Sequence, residues 1–600
     1  MTRHTRARWR PDSERLESRI NLAATSVTYA DVDGDLVRIT ATLPGAAAPP
    51  LDVADLQLTG GATGQLQRLT LADAGFTGAG IVFSVVKKPG GDGLADVGSI
   101  NAANIDLGRV VVKGDLGQIV VGNRNDPAPA LTLLKARSFG ALGLTTGAAS
   151  LTSQVFGSVG AVQIARDVVN ATLISRDPDA GIGSVVIGRN LIGSEADGSG
   201  VIRSTGTIGS VRIGGSVIGG AGDGSGRISS ASRLATVTIG GSIFGGAGTE
   251  SGFIDSTGTM GAVRVGGSIV GGAGDYAGGI RSTGAIDSVW VGRSLAGGAG
   301  DFSGRVGSSG RIATTRFGGA VTGGTGLASG QCLGFELGTV AILGNLAGGG
   351  GDFSGTVSAT GAIDAVRIGG SLIGGSVSGT ASLTDSGQVA TLGRIGSVVI
   401  AGSIISGSDT STGTLERSGA IVAAELPLVT VGGGLVGNKS NPVRIVALGQ
   451  VAPLEDKVDR AIGRVSVRGD VLFGAIMAGF DYAARFVPGN ADASIGSIQV
   501  GGDWIASSAA AGVRDLGVLG FGLTDSLQVG GDASVAATIE RVVIGGNVRG
   551  TVEANDEYGF VAEKVLAVRI AGLDVQLREG GRNDREPIRF TADVSITEPA

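Results

Sequence analysis

IGSVVIGRNL, Ile182 to Leu191, decides how this chain is read, because versions of it return at Ile208, Leu234, Met260, Ile286 and Ile312, each 26 residues after the last. The series continues in a slightly shifted register at Leu337 and Ile363, and with looser spacing at Ile395, Leu426, Ile462, Ile495 and Ile539. A fixed period of this length marks a repeat architecture, in which each unit buries its apolar side against its neighbours. Superposing the repeats gives columns. Val185, Val211, Val237, Val263, Val289, Val340 and Val366 form one, and two residues on stand Ile187, Ile213, Ile239, Val265, Val291, Phe317, Ile342 and Ile368. That alternation is the signature of a strand with one side inward. A second strand carries Leu191, Val217, Ile243, Ile269, Leu295, Val321, Leu346 and Leu372, and a third carries Ile202, Ile228, Ile254, Ile280 and Val306.

Between the strands lie Gly-Gly, Gly-Ala-Gly-Asp and Ser-Thr-Gly, residues that turn the chain sharply. Glycine makes up 112 of the 600 residues, well over twice the roughly 7% of average usage, and these corners account for the excess. Three strands and three corners in 26 residues predict an all-β fold, a right-handed parallel β-helix whose coils stack about 4.8 Å apart. The hand follows from the general preference of parallel crossovers. The rival solenoid is a leucine-rich repeat, since IGSVVIGRNLI fits its strand pattern. Its return segment is normally helical or otherwise extended, whereas GGAGDGSGRISS is glycine-laden and carries an isoleucine column of its own, which favours the β-helix.

Composition narrows the function. The chain is 42% hydrophobic with a mean hydropathy of +0.31, yet each apolar run is cut short by Gly, Ser, Asp or Arg, so no membrane span is expected. A net charge of −6 gives no basic footprint for nucleic acid. One His and one Cys remove most catalytic and metal-ligand sets, because zinc sites and Ser-His-Asp triads need several such residues. His4 reads as a solvated tail residue. Cys332 falls 26 residues after Val306 in the inward column of the third strand and reads as a buried apolar filler.

The organisation expected is a basic N-terminal sorting or tail segment at 1–24, an antiparallel β cap at 25–98, a parallel β-helix at 99–552 and a C-terminal cap or tail at 553–600. Within the helix the coils are regular over 182–375 and irregular, with insertions, over 426–540. A cap is expected because a bare coil end is an open sheet edge. RWRPDSERLESRINLAA, near the start, resembles the LEPR-XLL segment of large repeat-rich surface and secreted proteins of planctomycete-type bacteria. Leu16, Glu17, Arg19, Ile20 and Leu22 match, while Ser18 stands in place of the motif's Pro and Asn21 in place of its first Leu. The resemblance implies export to the envelope or beyond it, an extracellular or cell-surface protein.

Four clusters invite a chemical reading. On the outward side of the first strand, the position between the two inward columns reads Arg212, Thr238, Arg264, Trp290, Arg316, Ala341, Arg367. A Trp among Arg residues suits a sugar ring or an anionic glycan, through stacking and charge contacts. The plain alternative is a solvated sheet face. Asp197, Asp223, Asp275, Asp301 and Asp352 stand in one corner column. They read as turn carboxylates, with calcium as the alternative, since neither their place in the turn nor the 26-residue period fits the nine-residue calcium repeat. Asp31, Asp33 and Asp35 read as a hairpin tip, because Gly34 is misplaced for an EF-hand loop. The irregular zone carries Glu455, Asp456, Lys457, Asp459, Asp481, Tyr482, Arg485 and Asp503, which read as loop charges with no paired-carboxylate spacing.

The function expected is therefore a structural or adhesive surface element without a cofactor. The alternatives are a glycan-binding module using Arg212, Arg264, Trp290, Arg316 and Arg367, and a polysaccharide lyase or hydrolase with a site in 426–540. The partner these readings share is a cell-envelope or extracellular polysaccharide.

Overall fold

From Thr207 to Ser230 the chain completes one coil: strand Thr207–Ile213, a corner, strand Val217–Ile218, a glycine-rich corner, and strand Arg227–Ser230. The next coil lies on it in parallel and in register, Val211 opposite Val237, Val217 opposite Ile243 and Ile228 opposite Ile254. Three parallel faces result, one per strand of the coil, and they enclose a single apolar interior, as a parallel β-helix requires. The first face belongs to a 22-stranded sheet. This is a computed structural model. It describes residues 22–599 except 47, 61–63, 124–128, 180, 451–457, 482–486, 516–518, 529, 533, 554–555 and 589–592. His4, the basic segment, most of the LEPR-XLL-like motif, Glu455, Asp456, Lys457, Tyr482 and Arg485 lie outside the described residues.

All four inward columns read from the sequence are buried in one continuous core. Cys332 takes its place in the third, opposite Val306, and is wholly buried. Burial pushes its thiol up to about 12, against smaller opposing effects of the Thr315 hydroxyl and the Arg305 charge, so it is a neutral filler at physiological pH. Thr315 occupies the first column where neighbouring coils have Val, and its buried hydroxyl faces the Cys332 thiol.

Polar ladders tie the corners together. In the first corner the Ser242 backbone N–H donates to the Ser216 hydroxyl, that of Ser268 to Ser242 and that of Ser294 to Ser268. In the second corner the Ser225, Ser251, Ser303 and Ser329 hydroxyls, all buried, accept from the backbone N–H five residues earlier. Gly240 and Gly266 reveal a second reason for glycine beyond turning. A Cβ at either would run into the carbonyl oxygen of Gly214 or Gly240 one coil below, so these positions are small because the backbones stack closely.

The two ends depart from this pattern. Leu22–Ala30 and Leu36–Pro44 pair antiparallel, and Gly80–Val86 joins Leu36–Pro44 antiparallel on one side and Leu107–Val111 in parallel on the other. The antiparallel unit thus passes directly into the stack. Parallel pairing also appears at Leu66–Thr70, which lies against Val97–Ala103. After residue 553 the sequence loses its period, yet Asp556–Ala562 still stacks on Ser508–Ala511 and Val594–Thr597 on Asp556–Ala562. Buried Phe560 and Ile596 carry the interior onward there.

In the irregular zone the interior register persists, Val429 opposite Val465, Val465 opposite Ile498 and Ile498 opposite Val542. The extra residues leave the coil after the third strand. One insertion forms a short hairpin, Phe480–Asp481 with Val487–Pro488, and another pairs Val513–Arg514 with Ser526–Leu527. They fold back over the third face, and Val446, Met477, Phe480, Ala510, Val513, Phe521 and Val561 form a second apolar cluster on its outer side.

Candidate functional site

The first-face ladder is assembled as the period predicts. Arg212 stands opposite Thr238, Thr238 opposite Arg264, Arg264 opposite Trp290, Trp290 opposite Arg316, Arg316 opposite Ala341 and Ala341 opposite Arg367. The four arginines are exposed and Trp290 is half-buried. Arg264 lays its guanidinium 3.7 Å from the Trp290 ring centroid. One face of the indole is therefore used within the chain, and what this ladder offers outward is mainly positive charge.

The corner aspartates serve the backbone. The Asp197 carboxylate accepts the N–H of Asp223, Asp223 that of Thr249, Asp275 that of Asp301, Asp301 that of Leu327 and Asp352 that of Thr384. Each links its own coil to the next, which explains the column through backbone hydrogen bonding alone. Asp503 does the same in the irregular zone, accepting from Asn547 while its own N–H donates to Asp470.

Asp31, Asp33 and Asp35 lie at the tip of the first hairpin, with one oxygen of each within 4.8 Å of the others. Asp35 is fully buried and clamps the following loop, its two oxygens accepting from the backbone N–H of Lys88 and Gly93 at 2.6 Å each. Burial and the neighbouring Asp33 push the Asp31 carboxyl up to about 7, and Asp33 is correspondingly lowered. The inward oxygens are thus held by the loop, as a structural hairpin tip requires.

Among the described residues, the remaining charges read in the irregular zone sit on different elements. Asp459 is buried on the first face, where it accepts from the Gln450 N–H and the Asn490 side chain, each at 2.7 Å. Asp481 sits on the hairpin over the third face, and Asp503 in the first corner.

One recess, about 270 Å³, lies on the first face between Arg464, Ser497, Gln499 and Arg541. Three more lie along the third face, and sequence reading singled out only the irregular zone in which the last of them sits. The first of these three, about 590 Å³, is lined among others by Asp197, Arg203, Asp223, Arg227 and Glu250. The second, about 240 Å³, lies over Gln331, Phe353, Thr356, Ser358, Gln388 and Leu392 and ends at Phe480 and Asp481. The third, about 510 Å³, lies beyond the hairpin between Lys439, Arg444, Met477, Phe480, Arg514 and Tyr558.

Between the first two recesses stands a stacked array of aromatic and arginine side chains. The rings of Tyr276 and Phe302 lie 4.9 Å apart and nearly parallel. Arg281 sits 5.1 Å from the Phe253 ring and 5.6 Å from that of Tyr276, and Arg305 sits 5.6 Å from that of Phe302. Arg227 pairs with Glu250 at 2.6 Å and Asp255 at 2.7 Å, and Arg281 with Glu250 at 2.6 Å. Burial raises Glu250, but Arg227 and Arg281 outweigh it and hold the carboxyl below its usual range. Arg305 differs. Among the described residues it has no carboxylate partner, its buried Nε has no acceptor, and burial lowers its pKa.

The signal that points here is a column of backbone outliers. The corner position held by Gly198 and Gly224 is taken in later coils by Glu250, Tyr276, Phe302, Ala328 and Phe353, all left-handed, with φ between 50 and 58°. Each such residue costs roughly 1–2 kcal/mol relative to glycine. The sequence shows it as GDGSG giving way to GDYAG and GDFSG.

Comparison with protein-family models, with curated proteins and with solved structures finds no match to this chain.

Proposed function

We propose that the chain is an exported structural or adhesive element of the cell surface, a rigid β-solenoid that holds an extended face against polysaccharide of the envelope or matrix. One observation carries the reading: polar groups that a catalytic site would need free are spent on the scaffold. The corner aspartates bond the next coil, Asp35 clamps a loop, and the single thiol is a core filler. Uniform coils repeating along one axis suit attachment over a long contact, where many weak interactions add. The LEPR-XLL-like start agrees with export. Fold by itself assigns no function, so the test is direct. Antibody is expected to label intact cells that make the protein, and the purified chain to sediment with isolated envelopes or with polysaccharide whose chain length stays unchanged on prolonged incubation. Shortening of the polysaccharide would move the assignment to an enzyme, and labelling only after lysis would overturn surface display.

A further inference from the structure

We propose that the third face between Arg305 and the Phe480–Asp481 hairpin binds an acidic polysaccharide, one bearing carboxylate or sulfate groups, with its chain along the axis of the solenoid. This rests on the adhesive reading above and gives that reading a site and a ligand chemistry.

The floor is a line of side chains in register. Arg305 stands opposite Gln331, and the pairing continues from Thr356 to Gln388. The Gln331 amide donates to the Thr356 hydroxyl at 3.0 Å and the Ser358 hydroxyl at 3.3 Å, and the Gln388 amide to the Asp385 carbonyl at 2.7 Å. These bonds fix the floor groups before any ligand arrives, which lowers the ordering cost of binding. Coils rise about 4.8 Å each, close to the advance of one sugar along an extended glycan, so successive rungs meet successive sugars. Phe353, 44% exposed, and Leu392, 74% exposed, supply apolar surface at the edges.

Arg305 sets the charge of the ligand. Its guanidinium lies across Gly307, where a Cβ would come within 3.1 Å of Nε. Its Nε is enclosed and has no acceptor, so the charge is left to the terminal nitrogens, and an anionic group there is the partner that would restore what burial removes. Arg227 and Arg281 on the same face are neutralised by Glu250 and Asp255, and Arg203 belongs to the first recess at the far end of the array, which leaves Arg305 as the anchor beside this stretch. The strained aromatics support the same reading, because left-handed Tyr276, Phe302 and Phe353 replace the glycine that costs nothing there. Strain kept at one surface marks a place where a side chain is wanted.

The test is affinity electrophoresis of the full chain in gels containing polygalacturonate, a sulfated galactan or neutral dextran. Retardation is expected with at least one acidic polymer and not with dextran, and the polymer that retards identifies carboxylate or sulfate as the source. Arg305→Gln is expected to weaken retardation about tenfold or more. Leu392→Glu, at an exposed site where folding is not at stake, is expected to weaken it as well. Arg212→Gln and Arg367→Gln on the first face leave it unchanged. Equal retardation by dextran, or retardation indifferent to both third-face variants, overturns the site. Loss only in the first-face variants keeps the adhesive reading and moves the site, whereas no retardation by any polymer overturns both.

Discussion

The regular coils of 182–375 and the irregular coils of 426–540 have the same inside and different outsides. Val211 on Val237 and Val465 on Ile498 are the same contact, although the second is separated by a longer excursion of chain. On the third face they diverge. The regular coils turn Arg203, Arg227, Arg281 and Arg305 outward, with a shallow recess among them. The irregular coils turn Val446, Met477 and Ala510 outward, and the inserted segments cover these with Phe480 and Phe521, whose rings meet edge to face at 5.5 Å. Insertions at one outlet of the coil therefore lay an apolar cover over part of this face and leave a recess beside it, while the stacking that holds the solenoid is untouched.

That comparison breaks most visibly if the interiors are unequal. Val237→Asp and Val465→Asp each place an unpaired carboxylate in a wholly buried column. Each is expected to cost about 4 kcal/mol or more, read as a fall in the urea midpoint of the circular dichroism signal. A much smaller loss at Val465 would mean that the irregular coils pack loosely. Next in size, Phe480→Ala removes a buried ring from the outer cluster and should cost about 3 kcal/mol. The damage belongs to the covering layer, so amide exchange should quicken at Ser508–Ala511 and stay unchanged at Arg227–Ser230.

Two smaller changes sharpen the account of the regular coils. Thr315→Val restores the column and removes a buried hydroxyl that faces only a weakly hydrogen-bonding thiol, and is expected to raise stability by about 1 kcal/mol. Asp301→Ala deprives the Leu327 N–H of its acceptor at an exposed corner and should cost about 1 kcal/mol.

The smallest effect is one of pH and belongs to the irregular side. Burial raises the Asp459 carboxyl above its ordinary value of 3.8, against the opposing hydrogen bonds from Asn490 and Gln450. The folded chain therefore holds this proton more tightly than the unfolded chain does. Its contribution is complete below the unfolded pKa and is lost as pH rises through the folded one. The urea midpoint should fall slightly over that window, and Asp459→Asn should flatten the dependence.

The interior was legible because two periods, two residues along a strand and 26 along the chain, act on the same aliphatic positions. Cys332 could be placed by counting alone, and it stands opposite Val306. The corner aspartates were legible in place but not in full role, since their partners are backbone N–H groups that no side-chain pattern reveals. Gly240 and Gly266 were legible as corner residues, while the carbonyl beneath each was not. The third-face recesses were hidden for a different reason. Their outward residues, Arg203, Ser229, Asp255, Arg281, Gly307 and Leu333, share a register but no chemistry, so no column draws attention to them. The coverings over the irregular zone come from segments that leave the repeat altogether, and the period says nothing about where such segments return.

The hydroxyl ladder of the first corner has a consequence for how such a chain changes its size. Ser268 finds in Ser242 what Ser242 finds in Ser216, so excising one whole period would rejoin equivalent neighbours and leave no orphaned donor. Losing a single residue from a strand would instead turn every later side chain of that strand inside out. Reach is thus a quantity that unequal genetic exchange adjusts in whole steps, each worth one thickness of sheet, without redesigning any contact.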